Sequence, residues 1–298
     1  MNTIFCGTPD IAVPALRLLA ARTTVTCVIT QPDRPAGRGN KLTPPAVKQA
    51  AQALGLPVWQ PETLKGQAGD PRFAGLDLAV VMAYGEILRQ DVLDRPAQGC
   101  INLHASLLPK YRGASPLQAA IRAGDTTTGV TVMRMVRGLD AGAMYLAEEV
   151  PIGPRTTLGE LHDAMAQAAA AALGRFLDAP KLVPVEQDPA LVSHCRKLTS
   201  EDGRLDFTVD AVDLDRWVRA YTPAPGCWVP LGSERLKILS VEPLLDSDLA
   251  VGVVHQTNDR IRVGCGRGSV LVTRLQAPGG KALASADFSR GHRLPERF

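Results

Sequence analysis

The sequence predicts an α/β fold: a parallel-rich sheet covered by helices, followed by a small β-barrel. Three observations carry that prediction. Short apolar runs alternate with helical patterns through the first 150 residues. Several of those runs are apolar on both faces, as strands buried between helices must be. Beyond residue 205, short strand patterns recur between turn residues, which is how a small barrel is written.

Ile4–Cys6 is the first apolar run, and it ends at Gly7-Thr8-Pro9-Asp10. A helix is expected next, with Ile11, Ala15, Leu18 and Leu19 on one face. Val25–Thr30 is rich in β-branched residues and predicts a second strand. Pro44–Leu54 reads as a helix that opens at proline and stops near Gly55. Leu76–Ala83 and Cys100–His104 are two further buried strands, and Gly129–Met135 and Met144–Val150 two more. Thr157 and Glu160 fit a capping box opening a long helix over Thr157–Leu177. Residues 178–205 carry prolines, charge and weak periodicity. The expected division is a catalytic domain over 1–180, a linker over 181–205 and a C-terminal domain over 206–298. The last opens with a helix, Asp210–Tyr221, and continues as strands at Gly226–Leu231, Leu236–Val241, Gly252–His255, Arg260–Val263 and Val270–Leu275.

Composition narrows the class of protein. Hydrophobic residues make up 45% of the 298, enough for a proper core. Apolar runs are too short for a membrane helix, and the first residues lack the pattern of a signal peptide. The six cysteines are scattered and form no CxxC pair, so neither a zinc site nor a redox dithiol is expected, and no metal. They suit a reducing cytoplasm. Net charge is only +3, yet it is unevenly placed: residues 186–259 hold 7 basic against 13 acidic residues, and residues 260–298 hold 8 against 2. The basic C-terminal stretch suits a phosphate-facing surface or, equally, a solvated face.

The chemistry centres on Asn102 and His104. Two apart in a strand, they point to the same side where the chain leaves the sheet. Buried unpaired, they would cost free energy. A satisfied core histidine beside a hydrogen-bonded asparagine is the plain alternative. Ligands in open α/β sheets bind outside the carboxyl ends of the strands, and the loop Gly138-Leu139-Asp140 also follows a strand. Asparagine can donate to a developing oxyanion, histidine can donate or move a proton, and aspartate can orient the histidine. The set contains no serine or cysteine nucleophile, so it suits direct transfer. Gly7-Thr8-Pro9-Asp10 is neither GxGxxG nor a Walker loop, so NAD and ATP are not implied. A structural role is expected for His162 and His194, and His255 has no assigned role.

Asn102-Leu103-His104, Ser106-Leu107-Leu108-Pro109 and Gly138-Leu139-Asp140 together resemble the signature of the folate-dependent formyltransferases. Phe5–Asp10, the run Thr30–Gly39 and Ala83-Tyr84-Gly85 resemble the branch of that family that formylates methionyl-tRNA, from end to end of the chain. The resemblance implies a Rossmann-like formyltransferase domain and an OB-fold-like barrel that helps to hold tRNA. It implies transfer of a formyl group from 10-formyltetrahydrofolate to the α-amino group of methionine on initiator methionyl-tRNA, through a tetrahedral intermediate, for translation initiation. Asn102, His104 and Asp140 are then the catalytic set. Ser106, Leu107, Leu108 and Pro109 are the folate-contacting run, with Tyr84 near the pterin pocket. The loop 33–41, with Arg34, Arg38 and Lys41, becomes a basic clamp on the acceptor end instead of an ordinary solvated loop, and Arg196 and Lys197 become phosphate contacts. Ala105 stands where glycine is common in the family. The expected partners are the tRNA and the folate, with no membrane, for a monomeric protein. A formyltransferase or formyl-folate hydrolase acting on a small molecule, and a tRNA-binding protein without catalysis, are the alternatives. The basic loop joined to a barrel argues against the first, and the intact Asn/His/Asp set against the second.

Overall fold

A computed structural model of the 298-residue chain describes every residue except 37–40, 180, 246 and 247. The chain divides into two compact units. The first is Met1–Pro116, Thr127–Pro151 and His162–Cys195; the second is Leu117–Thr126, Ile152–Leu161 and Arg196–Phe298. The segment 181–205, expected as a linker, divides between them at residues 195 and 196.

The elements of the first unit begin with β1 (Asn2–Gly7), α1 (Val13–Arg22) and β2 (Thr24–Ile29). A short hairpin follows, β3 (Arg34–Ala36) and β4 (Lys41–Thr43), then α2 (Ala46–Ala53), β5 (Val58–Trp59), β6 (Leu78–Met82) and α3 (Gln90–Leu93). Next come β7 (Cys100–His104), β8 (Arg112–Gly113), α4 (Pro116–Ala123), β9 (Thr127–Arg134), β10 (Met144–Pro151), α5 (Leu158–Asp178) and β11 (His194–Cys195). Most of α4 and the first turn of α5 belong to the second unit.

The main sheet has seven strands in the order β10-β9-β7-β6-β1-β2-β5. It is parallel from β7 to β5, and β9 and β10 complete it antiparallel. All five residues of β6 are buried, because both faces of this central strand are covered. Ile4, Cys6, Cys27, Ile29, Ala79 and Val81 alternate onto one face and meet Leu64, Phe73, Leu88 and Val92 there. Strand order reverses at β1, where the chain has gone out to β5 on one side and returns to β6 on the other. The carboxyl ends beside such a switch are where this architecture opens a crevice.

The caps follow sequence chemistry. Ahead of α5 the Thr157 N–H donates to Glu160 Oε2 at 2.9 Å and the Glu160 N–H to Thr157 Oγ1 at 3.3 Å. The Thr157 N–H first, and its hydroxyl second, which donates to Glu160 Oε2 at 2.8 Å, hold the Glu160 carboxyl below its usual pKa. Among the described residues, no helix is long and apolar enough to cross a membrane.

In the second unit α6 (Ala211–Tyr221) is followed by β12 (Cys227–Leu231), β13 (Glu234–Leu244), β14 (Val254–Gln256), β15 (Ile261–Gly264), β16 (Ser269–Gln276), β17 (Ala282–Ala284) and α7 (Ser285–Gly291). The strands pair antiparallel in the order β12-β13-β16-β15-β14, with β17 beside β16, and the sheet curls as a half-barrel. Its concave core is Leu214, Val218, Val229, Leu236, Ile238, Ile261, Val270, Leu275 and Phe288. Asp215 is buried on α6 and accepts from Arg155 Nη1 at 2.7 Å and Arg219 Nε at 2.8 Å, so the charge is paired twice.

Candidate active site

Asn102 and His104, the residues expected to carry the chemistry, lie at the carboxyl end of β7. Val81 of β6 and Met133 of β9 flank Asn102 in register, and Thr131 flanks His104. The alternation holds: Asn102 is half-buried and His104 is buried, while Leu103 between them turns into the opposite core.

Asp140 joins this pair from the loop after β9. Asn102 Nδ2–H donates to Asp140 Oδ1 at 3.5 Å, and Asp140 Oδ2 lies 3.6 Å from His104 Nδ1. Both separations are long for hydrogen bonds, so the amide and the imidazole keep the capacity to turn toward a bound group. What fixes the carboxylate is backbone: the Gly113 N–H donates to Asp140 Oδ2 at 2.8 Å. Asp140 reaches that donor with φ +47°, in the left-handed region where Asp is among the better-tolerated residues.

His104 is held from its other side. Its Nε2 lies 2.9 Å from the Tyr111 carbonyl oxygen, which can only accept, so Nε2 carries a proton. Nδ1 is then the ring nitrogen that faces Asp140. The Cys195 thiol sits 3.3 Å from the same carbonyl as a second donor. Burial, reinforced by the charge of Asp140, pushes that thiol's pKa up, so it stays protonated. Tyr111 itself has φ +60°, and its N–H donates to Ser193 Oγ at 2.9 Å.

The sequence assigns no role in the site to Tyr111, Gly113, Gln187 or Cys195. Tyr111 and Gly113 act through backbone atoms, and the glycine after Lys110-Tyr111-Arg112 was the one signal available. Gln187 carried none. Its Nε2 donates to the carbonyls of Asp140 and Gly142, both at 2.8 Å, and its Oε1 accepts from Arg112 Nε at 3.0 Å and Nη2 at 2.8 Å.

The run Ser106–Pro109 forms the turn beyond β7. Ser106 is fully buried and its hydroxyl donates to the Lys110 carbonyl at 2.6 Å. Thr131 Oγ1 donates to the Ser106 carbonyl at 2.7 Å and accepts from the Leu108 N–H at 3.0 Å. Ser106 therefore shapes the turn, on which Leu107 and Pro109 are half-exposed and Leu108 is buried. Tyr84 stands apart from the cluster. Its ring is packed in the core with Cys6, Ile29 and Leu88, its buried hydroxyl lacks a partner among the described residues, and burial pushes its pKa up. Its carbonyl accepts from Thr8 Oγ1 at 2.8 Å.

Of the basic residues expected to meet tRNA, Arg34 and Lys41 are exposed on the β3–β4 hairpin, where Arg34 pairs with Thr43 and Lys41 with Ala36. Arg38 lies outside the described residues. In the second unit, Lys197 is exposed, whereas the Arg196 guanidinium is engaged by Asp202, with Nη1 2.9 Å from Oδ2. Asp202 is in turn held by the Thr199 N–H and hydroxyl.

The hairpin has an anchor at its base. Asp33 accepts from Lys48 Nζ at 2.7 and 2.8 Å and from Gln60 Nε2 at 2.8 Å, and Gln60 Nε2 also donates to the Gln31 carbonyl at 2.8 Å. Gln60 first and Lys48 second hold the Asp33 carboxyl below its usual pKa. A carboxyl depressed in this way contributes stability above its unfolded pKa of about 4 and loses it as pH falls through the lower folded value. Lys48→Met is expected to move the Asp33 titration, followed by carbon-13 NMR, up toward the ordinary carboxylate range. An unchanged midpoint would show that Lys48 does not stabilise the charge.

Among the described residues, no three His, Cys, Asp or Glu side chains gather as a metal site. The donor set itself is two side chains that can carry N–H donors and one fixed carboxylate, with Leu107 and Pro109 half-exposed on the turn beyond β7, which fits polarising a carbonyl and moving a proton. A formyl transferase family model matches residues 6–177, and a formyl transferase C-terminal domain model matches 197–293. The methionyl-tRNA formyltransferase of Thiobacillus denitrificans is 48% identical over 99% of this chain and 97% of its own, and that of Chromohalobacter salexigens 46% identical over 99% and 96%. The solved methionyl-tRNA formyltransferase from Clostridium thermocellum shares the fold at 16% identity, with a TM-score of 0.55 over 88% of this chain and 96% of its own. So does the N-formyltransferase from Helicobacter canadensis in complex with folinic acid and dTDP-3-aminofucose, at 15% identity, with a TM-score of 0.68 over 91% and 97%. With both domains matched in order and relatives 48% and 46% identical over nearly the whole chain, the chain belongs to the methionyl-tRNA formyltransferase family.

Proposed function

We propose that this protein transfers a formyl group from 10-formyltetrahydrofolate to the α-amino group of methionine on initiator methionyl-tRNA. The observation that carries the proposal is the convergence of Asn102, His104 and Asp140 at the carboxyl end of β7. Bound formyl-folate supplies the formyl carbon and the leaving nitrogen. The remaining requirements fall on this chain. The amine must be neutral, and an α-amino group near pH 8 in its ordinary titration needs no strong base, less so next to an ester. Negative charge gathers on the formyl oxygen as the amine adds, and it needs N–H donors held in advance. Asn102 Nδ2 supplies one, and His104 Nδ1 supplies the other in the imidazolium form, since Nε2–H is committed to the Tyr111 carbonyl. Asp140, immobilised by the Gly113 N–H, orients His104 and balances its charge.

Leu107 and Pro109 line the folate side, with Ser106 and Leu108 shaping the turn and Tyr84 supporting the strand end from the core. Arg34, Lys41 and Arg38 take the acceptor end. Lys197 takes a phosphate, and Arg196 joins it by exchanging Asp202 for that phosphate. The protein works as a monomer in a reducing cytoplasm, which its six free cysteines support.

Incubation with 10-formyltetrahydrofolate and methionyl initiator tRNA is expected to yield formylmethionyl-tRNA. Formylation of a small amine, such as an amino sugar nucleotide, with none of the tRNA, would sink the proposal.

A further inference from the structure

We infer that Gln187 is a positioning residue for Asp140, and that its side chain joins the two backbone segments that set the His104–Asp140 pair. The inference rests on the formyl transfer proposed above.

Gln187 is buried, 8% exposed, between exposed Glu186 and Asp188. A primary amide has two N–H donors and two acceptor lone pairs. Here all four are used: two N–H bonds go to the carbonyls of Asp140 and Gly142, and two bonds arrive from the Arg112 guanidinium. Each partner bears on the site. The Asp140 and Gly142 carbonyls belong to the loop that presents the carboxylate with φ +47°. A non-glycine residue in that conformation persists where its surroundings over-determine it. Arg112 lies between Tyr111, whose carbonyl takes the His104 Nε2–H, and Gly113, whose N–H takes Asp140 Oδ2. One side chain therefore sets the distance between the loop that brings Asp140 and the strand that holds both Asp140 and His104. Side-chain supports of this kind keep a reacting constellation within fractions of an ångström.

Gln187→Leu removes all four bonds at similar volume. It is expected to lower kcat on the order of ten- to a hundredfold, the usual consequence of misplacing a catalytic group, with KM for both substrates within about threefold. In an Asp140→Asn background the same change is expected to cost less than about twofold, because the group it positions is already gone. Losses that multiply in the double variant, or a loss carried wholly by KM, would overturn the inference. Gln187→Glu keeps the acceptor for Arg112 and drops the donors to the loop. It should fold even where Gln187→Leu does not, and should show the same kcat loss and the same non-additivity. The imidazole nitrogen-15 signals of His104 in the resting protein give a readout independent of turnover. They are expected to move in Gln187→Leu, and unchanged signals overturn the inference. A wild type that formylates no tRNA while these signals move would reject the reaction and leave the positioning role standing.

Discussion

Asp140→Asn is expected to lower turnover by about 10²- to 10⁴-fold, the range for removing a general acid–base group or its partner, with the fold retained. Asparagine is the right replacement because position 140 has φ +47°, a conformation it accepts as readily as aspartate. It is nearly isosteric, and its side-chain oxygen can still take the Gly113 N–H. What disappears is the negative charge opposite His104 Nδ1. Because Nε2–H is committed to the Tyr111 carbonyl, Asp140 is the charged partner that faces Nδ1 among the described residues. The effect should fall on kcat, because in the proposed reaction the carboxylate acts on the reacting atoms through His104 and Asn102. KM for methionyl-tRNA should stay within about threefold of wild type, as expected for an interaction made in the transition state alone. His104→Ala should be at least as damaging, with tRNA affinity largely retained. Steady-state formylation with both substrates varied decides it. Activity of Asp140→Asn within tenfold of wild type would remove Asp140 from the catalytic set.

The reach of the sequence is clearest on β7. Asn102 and His104 could be put on one face from spacing alone, since a strand alternates whatever surrounds it. The parallel strands were legible because burial on both faces leaves unbroken apolar runs. Asp140 is different: it lies 38 positions from Asn102, its loop following a strand made it a candidate for the same crevice, and the family resemblance assigned it to the site. Tyr111 and Gly113 escaped because their contribution is a carbonyl and an N–H, which every residue has. Gln187 escaped because its neighbours are exposed, so no periodicity marks it as buried. The β3–β4 hairpin and α7 were not anticipated either. The hairpin is held by a polar knot around Asp33 instead of an apolar stripe, and α7 is seven residues with one fully buried aromatic, Phe288. Arg196 shows the converse. Its charge was plain in the sequence, and its commitment to Asp202 six residues later was not.

Gly113→Ala is expected to damage both stability and activity, for one geometric reason. Gly113 has φ +120°, a region open to glycine and closed to side-chain-bearing residues. A Cβ there would fall on the carbonyl oxygen of Cys195, inside van der Waals contact, and the backbone of a paired strand cannot step aside cheaply. Relief requires β8 to part from β11, which withdraws the Gly113 N–H from Asp140 and shifts the Tyr111 carbonyl that holds His104. The strain and the lost pairing should cost about 2–3 kcal/mol of folding stability, measurable by urea denaturation. Turnover should fall on the order of a hundredfold in the molecules that do fold, as for any displacement of a catalytic group by about 1 Å. Gly55→Ala separates the two causes. Gly55 also has positive φ, +69°, yet an added Cβ meets nothing within 4 Å, so it carries backbone strain of about 1 kcal/mol without displacing anything. If Gly113→Ala proved no worse than Gly55→Ala in both stability and turnover, the β8–β11 pairing would not be what holds Asp140 and His104 in place.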